Sequence, residues 1–374
     1  MSQYFSRILC LSMLTSTVCP AEGNVAGEAL QLTLPRELYA VPGSEMSIYF
    51  DNVVLTKTPE EYQFDVQCDI GEVASGRWTV MPDPHDVGEH RLSMSVSASD
   101  GTSVASASAL LRVIPADAGA GREVRLLIVG DSLTHATLYV NEIARLLSQP
   151  SNPRWQMFGT HRPKSAIDGV AHEGYGGWTW QLFASKYEHN PDGTHRKRSS
   201  PFVYLSADKI PQLDVARYVR EECGGQPPDF VVFMLGINDC FSAAPAEPNA
   251  SIDAMFKQAD VLLEACRQAA PKAEFGICLV TPPNAREAAF EANYKGRYTR
   301  WNWKRIQHRL VQRQLERFAD TSRNATFVIP TQLNLDPVDG YPHNNGVHPN
   351  AAGYRQIGTS IYAWLKSRFL RSTR

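Results

Sequence analysis

Cysteine is scarce in this chain: seven among 374 residues, five of them (Cys68, Cys223, Cys240, Cys266 and Cys278) beyond residue 21. That odd number with wide spacing excludes a disulfide framework. Neither Cys-x-x-Cys nor His-Glu-x-x-His occurs, so no metal site is expected, and no cofactor. Net charge is also small, -2. It provides no basic footprint for nucleic acid and no polybasic membrane segment. Beyond residue 21 no apolar run approaches the ~18 residues that a membrane-spanning helix requires. Hydrophobic residues at 43% and charged residues at 20% fit an ordinary globular chain. The length suits about two domains of roughly 150 residues each.

What is present begins at the N-terminus. Arg7, the apolar run Ile8 to Val18, and Cys19-Pro20-Ala21 read as a signal peptide over residues 1–21, cleaved after Ala21. A secreted or periplasmic location is therefore expected. Residues 24–115 read as all-β. Met46, Ile48 and Phe50 alternate with more polar neighbours, as do Tyr62, Phe64, Val66 and Cys68, and Leu92, Met94 and Val96. Period-two alternation buries one face of a strand and wets the other. Pro42-Gly43, Pro82-Asp83-Pro84 and Asp100-Gly101 supply turns between the runs. Short strands at this density suggest an immunoglobulin-like sandwich. Residues 116–121, Ala-Asp-Ala-Gly-Ala-Gly, read as a flexible linker.

From residue 122 to 374 the pattern changes. Val124 to Val129 (broken only by Arg125), Val231 to Leu235, Phe275 to Val280 and Phe327 to Ile329 are apolar runs without alternation. Such runs suit strands covered on both faces. Between and after them lie helical faces, Ala136, Val140, Ile143 and Leu147, then Tyr354, Ile357, Ile361 and Trp364. The fold class is therefore α/β, a doubly wound parallel sheet preceded by a small all-β sandwich. In such sheets the site lies beyond the carboxyl ends of the strands.

Gly130-Asp131-Ser132-Leu133 sits at one of those ends and opens a helix. Ser132 either caps that helix or is a nucleophile held where the helix dipole favours negative charge. Three further blocks accompany it: a glycine loop, His172-Glu173-Gly174-Tyr175-Gly176-Gly177-Trp178-Thr179; Gly236-Ile237-Asn238-Asp239; and Val347-His348-Pro349-Asn350. Together, over about two thirds of the chain, they resemble the sequence blocks of the SGNH (GDSL-type) hydrolases, with their flavodoxin-like sheet.

The resemblance implies a serine esterase working through an acyl-enzyme, with Ser132 as nucleophile and His348 as general base. The Ser132 amide, the Gly177 amide and the Asn238 side chain would form the oxyanion hole. Gly174 and Gly176 read as turn glycines, Asp239 as structural, and His135 and His172 as support. One departure stands out. The family places Asp three residues before the histidine, and here that residue is Asn345. An amide carries no charge to offset an imidazolium. Three outcomes are open: a dyad with His348 held by a backbone carbonyl, a substitute carboxylate from Asp336 or Asp339, or an impaired enzyme.

The substrate is less legible. Trp178 and Trp180 flank the glycine loop, and Trp301 belongs to an aromatic, basic stretch. Indole faces stack on sugars and arginine forks onto carboxylates, so these three are candidate substrate contacts. Residues Ile306, Leu310, Leu315 and Phe318 of the same stretch read as the buried face of a helix. The polar residues 187–200 read as a solvated loop. The expected partner is an acetylated saccharide, making the chain a carbohydrate O-deacetylase. The rivals are a lipid or general carboxylesterase and a carbohydrate-binding protein that has lost turnover.

Overall fold

The alternating strands of the first third need something to cover their apolar faces, and they cover one another. The computed structural model describes residues 30–189, 199–318 and 325–371. The expected signal peptide and most of the 187–200 loop lie outside the described residues. Strands β1 (Glu37–Ala40), β7 (Ser103–Val113), β6 (Gly88–Ser97) and β3 (Gln63–Gln67) form one sheet in that order. A second contains β2 (Met46–Tyr49), β5 (Arg77–Val80) and β4 (Glu72–Ala74). Leu92, Met94, Leu111, Ile48 and Trp78 share the core between the sheets.

The alternation expected of β2 is absent. All four of its residues are buried, and at Phe50 the chain enters a short helix, α1 (Phe50–Val53). The cause is the rest of the chain, which covers the face that would otherwise be wet. The Ser47 amide donates to Asn334 Oδ1 at 2.8 Å, and the Tyr49 amide to the Leu333 carbonyl at 3.2 Å. Leu333 itself lies in the β core. Asn52 donates to the carbonyls of Gln332 and Leu335, both at 2.8 Å. Asp51 pairs with Arg300 at 3.1 Å and with buried Lys304. Residues 116–121 are turns rather than a free tether. Ala118 is buried, Gly119 abuts the Phe369 ring, and Lys366 Nζ donates to the Ala116 carbonyl at 2.8 Å.

The remainder is a three-layer α/β unit. Strands β8 (Glu123–Gly130), β9 (Arg154–Phe158), β10 (Glu173–Gly174), β13 (Phe230–Met234), β14 (Glu274–Cys278) and β15 (Thr326–Ile329) are all parallel. The order is β10-β8-β13-β14-β15, with β9 and β10 sharing one edge of β8. A hairpin of β11 (Val203–Leu205) and β12 (Pro211–Leu213) stands apart. Residues 230–234 are buried throughout, as continuous apolarity predicts for a strand covered on both faces. The helices are α2 (Ser132–His135), α3 (Leu138–Leu147), α4 (Trp180–Ser185), α5 (Val215–Glu222), α6 (Ile237–Cys240), α7 (Asn249–Ala269), α8 (Glu287–Tyr294), α9 (Arg300–Phe318) and α10 (Ala351–Arg371). On α9, Ile306, Leu310 and Phe318 are buried, while Arg313 and Arg317 reach Asp253 and Asp260 of α7.

Candidate active site

β8 runs straight into α2, and the turn between them admits only glycine. A Cβ on Gly130 would lie 1.9 Å from Thr134 Oγ1. Asp131 caps α2, its Oδ1 accepting the Leu133 amide at 3.0 Å. The cap is thus the aspartate, which leaves the Ser132 hydroxyl for other work. Ser132 is half-buried, and its Oγ lies 2.8 Å from His348 Nε2. The pair is 216 residues apart in sequence.

His348 arrives on the loop between β15 and α10. Asn350 caps α10, its Oδ1 accepting the amides of Ala352 and Gly353 at 2.9 and 3.1 Å. The helix start thereby fixes the histidine two residues upstream. Asn284 clamps the same loop from the segment that follows β14. Wholly buried, it donates to the carbonyls of Pro342 at 2.9 Å and Asn345 at 3.0 Å, and its amide donates to Gly346 at 3.0 Å. None of the four motifs points to Asn284; its signal in the sequence is an amide directly after Pro282-Pro283, shortly beyond an apolar run.

The group that orients His348 is Asn345. Its Oδ1 lies 3.2 Å from His348 Nδ1 and also accepts the amides of Val347 and His348, at 3.0 and 2.9 Å. Neither substitute carboxylate reaches the ring. Asp336 Oδ1 accepts the amides of Val338 and Asp339, closing its own turn. Asp339 is exposed and 3.8 Å from Arg286. The expectation of a carboxylate from Asp336 or Asp339 is therefore corrected, and so is that of a backbone carbonyl. Burial alone holds His348 below the usual imidazole range.

The oxyanion candidates are assembled around the same strand ends. β10 pairs with the end of β8, Gly174 beside Gly130, and the Tyr175 amide donates to the Gly130 carbonyl at 3.1 Å. The chain then turns through Gly177, whose φ of 77° is a left-handed conformation that glycine adopts without strain. Asn238, on α6 beyond β13, donates one side-chain N–H to the Trp178 carbonyl at 3.0 Å. That bond ties α6 to the glycine loop and leaves the second N–H of Asn238 for a ligand. The Ser132 amide, in the first turn of α2, belongs to the donors a helix start leaves unpaired within the helix.

The loop is braced from below. Buried Glu173 accepts the Thr160 amide at 2.6 Å, the Thr160 hydroxyl at 2.9 Å, the Tyr218 hydroxyl at 2.7 Å and the Tyr175 hydroxyl. His172 is fully buried, with Nε2 3.1 Å from Thr137 Oγ1. Burial, with His161 and His135 nearby, pushes it down to about 3, so it is a neutral packing group. His135 Nδ1 lies 3.3 Å from the Gly174 carbonyl. Asp239 Oδ1 accepts the Trp180 amide at 3.1 Å.

Trp178 and Trp180 are not platforms for a sugar. They are 7% and 2% exposed, with Trp178 against Tyr175 and Phe183 and Trp180 stacked on Phe233. Their indoles are large apolar surfaces that the core takes up. Trp301 is half-buried, in a cleft to which neither Ser132 nor His348 contributes. The partly exposed aromatics near the catalytic candidates are others. Phe241, just past α6, touches Tyr294 and Tyr298 at ring separations of 5.3 and 4.6 Å. Tyr294 in turn meets Phe290, which packs on Gly346 beside the His348 loop.

A parallel α/β sheet with a serine–histidine pair at its carboxyl edge defines a hydrolase of the nucleophilic-serine class. The profile of the GDSL-like lipase/acylhydrolase family matches residues 128–356, more than half of the chain, and the chain belongs to that family. It is an ester-bond hydrolase. No protein of curated function matches it. Among solved structures it is similar to a Clostridium thermocellum family 3 carbohydrate esterase, at 17% identity over 68% of this chain and 100% of that one, TM-score 0.43. It is also similar to a family 3 carbohydrate esterase from Talaromyces cellulolyticus, at 18% identity over 66% and 99%, TM-score 0.41.

Proposed function

We propose that the chain is a secreted carbohydrate O-deacetylase in which Ser132 attacks the ester carbonyl. His348 Nε2 takes the hydroxyl proton, and the amides of Ser132 and Gly177 with the Asn238 side chain receive the oxyanion. His348 then returns the proton to the leaving sugar alcohol. Water, deprotonated by the same nitrogen, releases acetate from the acyl-serine. The observation that carries this reading is the single line of contacts from Ser132 Oγ to His348 Nε2, 2.8 Å, and from His348 Nδ1 to Asn345 Oδ1, 3.2 Å. It favours turnover over a carbohydrate-binding role alone.

The saccharide assignment draws on the half-exposed Tyr294 and Tyr298 between the Asn238 helix and the His348 loop. Their rings suit the C–H face of a sugar and their hydroxyls suit its polar edge. Secretion draws on the N-terminal pattern of residues 1–21. Acetate release from a panel of acetylated polysaccharides, against release of fatty acid from lipid esters, tests the substrate class. Faster turnover of the lipid esters would replace it with a lipid esterase. Recovery of the chain from cell fractions, with its N-terminal residue determined, tests secretion.

A further inference from the structure

A cleft of about 630 Å³ opens where the β region meets α9, well within the size range of small-ligand sites. Thr56 and Tyr62 form one side, and Trp301, Arg305 and Arg309 of α9 form the other. Its polar character is lopsided. Two arginines line it, and among the described residues no aspartate or glutamate does. Arg309 is engaged, its Nε donating to Asn249 Oδ1 at 2.9 Å. Arg305 is half-buried and has no hydrogen bond or ion pair among the described residues. Lys57 adds a third cation at the rim, its Nζ 5.3 Å from the centre of the Trp301 ring.

A partly desolvated guanidinium without an anion is costly, and a fork of N–H groups fits a carboxylate or sulfate in two-point fashion. Beside it, half-buried Trp301 and Tyr62 present rings of the kind that cover a pyranose face. Because neither Ser132 nor His348 lines the cleft, it is separate from the catalytic candidates. The chain nevertheless limits how far it lies from Asn238. Pro245 lies in its wall, and seven residues of chain span at most about 25 Å from Asn238.

From these features we infer a second saccharide site that takes a sugar bearing an anionic group, holding an acidic polymer while a neighbouring unit reaches Ser132. The inference rests on the carbohydrate reading above, but its test does not require turnover. Calorimetric titration of the full chain with an oligogalacturonide, a sulfated galacto-oligosaccharide and a neutral xylo-oligosaccharide separates the ligands. The acidic sugars should bind at least about tenfold more tightly than the neutral one, and less tightly as salt rises. Binding of only one acidic sugar identifies the anion as carboxylate or sulfate. Arg305→Ala and Trp301→Ala should each weaken binding about tenfold or more, with thermal melts reporting that both remain folded. Arg305 has no partner among the described residues to lose, so its variant tests the site even if the tryptophan variant unfolds. Equal affinity for the neutral sugar, no binding to any, or wild-type affinity in folded Arg305→Ala overturns the inference. Acetate release from a neutral acetylated polysaccharide would then leave the catalytic reading intact.

Discussion

The side-chain oxygen of Asn345 lies 3.2 Å from His348 Nδ1 while it accepts two backbone N–H groups, from Val347 and His348. Those two donors decide which way the amide points, because its NH₂ cannot face them. Nδ1 must therefore carry the proton, leaving the lone pair of Nε2 on Ser132. In serine proteases an asparagine in this place costs about 10⁴ in turnover by enforcing the wrong tautomer. Here the backbone enforces the right one.

What Asn345 cannot supply is charge. Asn345→Asp should raise the His348 pKa, since a carboxylate at that distance favours the imidazolium. A general base works when neutral, and burial holds the His348 pKa low, so with His348 as the proposed base the wild-type enzyme should stay active below the ordinary imidazole range as pH falls. In the variant the acid limb of kcat/KM should move upward and kcat above it should increase. A pH–rate profile with an unmoved acid limb would mean that 345 does not sense the ring.

Ser132→Ala and His348→Ala should be about equally damaging to aryl acetate hydrolysis. The double variant should be little worse than either, because the two groups act as a unit. A His348→Ala variant with near-normal turnover removes the histidine from the mechanism.

Asn238→Ala should lower kcat by about 10²–10³ with a smaller change in KM. Tyr175→Phe, which takes one donor from Glu173 in the brace under the glycine loop, should act through the same donors. Its effect on kcat should be largest with Asn238 present and shrink in the Asn238→Ala background, a coupling of about 0.5–3 kcal/mol. Strict additivity would mean that the brace stabilises the fold without aligning the oxyanion site.

Asp51→Ala should destabilise the protein. It strips the counter-charge from Lys304, 3% exposed, and from Arg300. Breaking a buried pair by removing one partner costs about 3–5 kcal/mol. A thermal melt within a degree or two of wild type would mean that the β region contributes little to the α/β unit.

Asp239 gives stability a pH dependence of unusual sign. Burial pushes its carboxyl up from 3.8 to about 7, and Oδ2 has no partner among the described residues. The folded state therefore holds the proton more tightly than the unfolded chain. That contribution is full below 3.8 and is lost as pH rises through about 7. Asp239→Asn should remove it, so the difference in melting temperature between variant and wild type should grow in the variant's favour from acid to neutral pH. A constant difference would assign Asp239 an unshifted carboxyl.

Local pattern determined much of this protein. Continuous apolar runs at Leu126 and Val231 specify strands covered on both faces, because a stretch without polar positions has no face to offer water. Gly130 to Leu133, Asn238 and His348 are legible as candidates because the proposed chemistry needs those residue types at strand ends. Tertiary structure decided what depends on residues far apart in the chain. Ser47 and Tyr49 read as the wet side of a strand until residues 333 and 334 cover them, and Trp178 and Trp180 read as sugar platforms until Phe183 and Phe233 enclose them. Asn345 reads as a broken triad for the same reason. Its identity shows a missing charge, but the proton on His348 is fixed by which amide atom faces the backbone, and only the folded loop sets that direction.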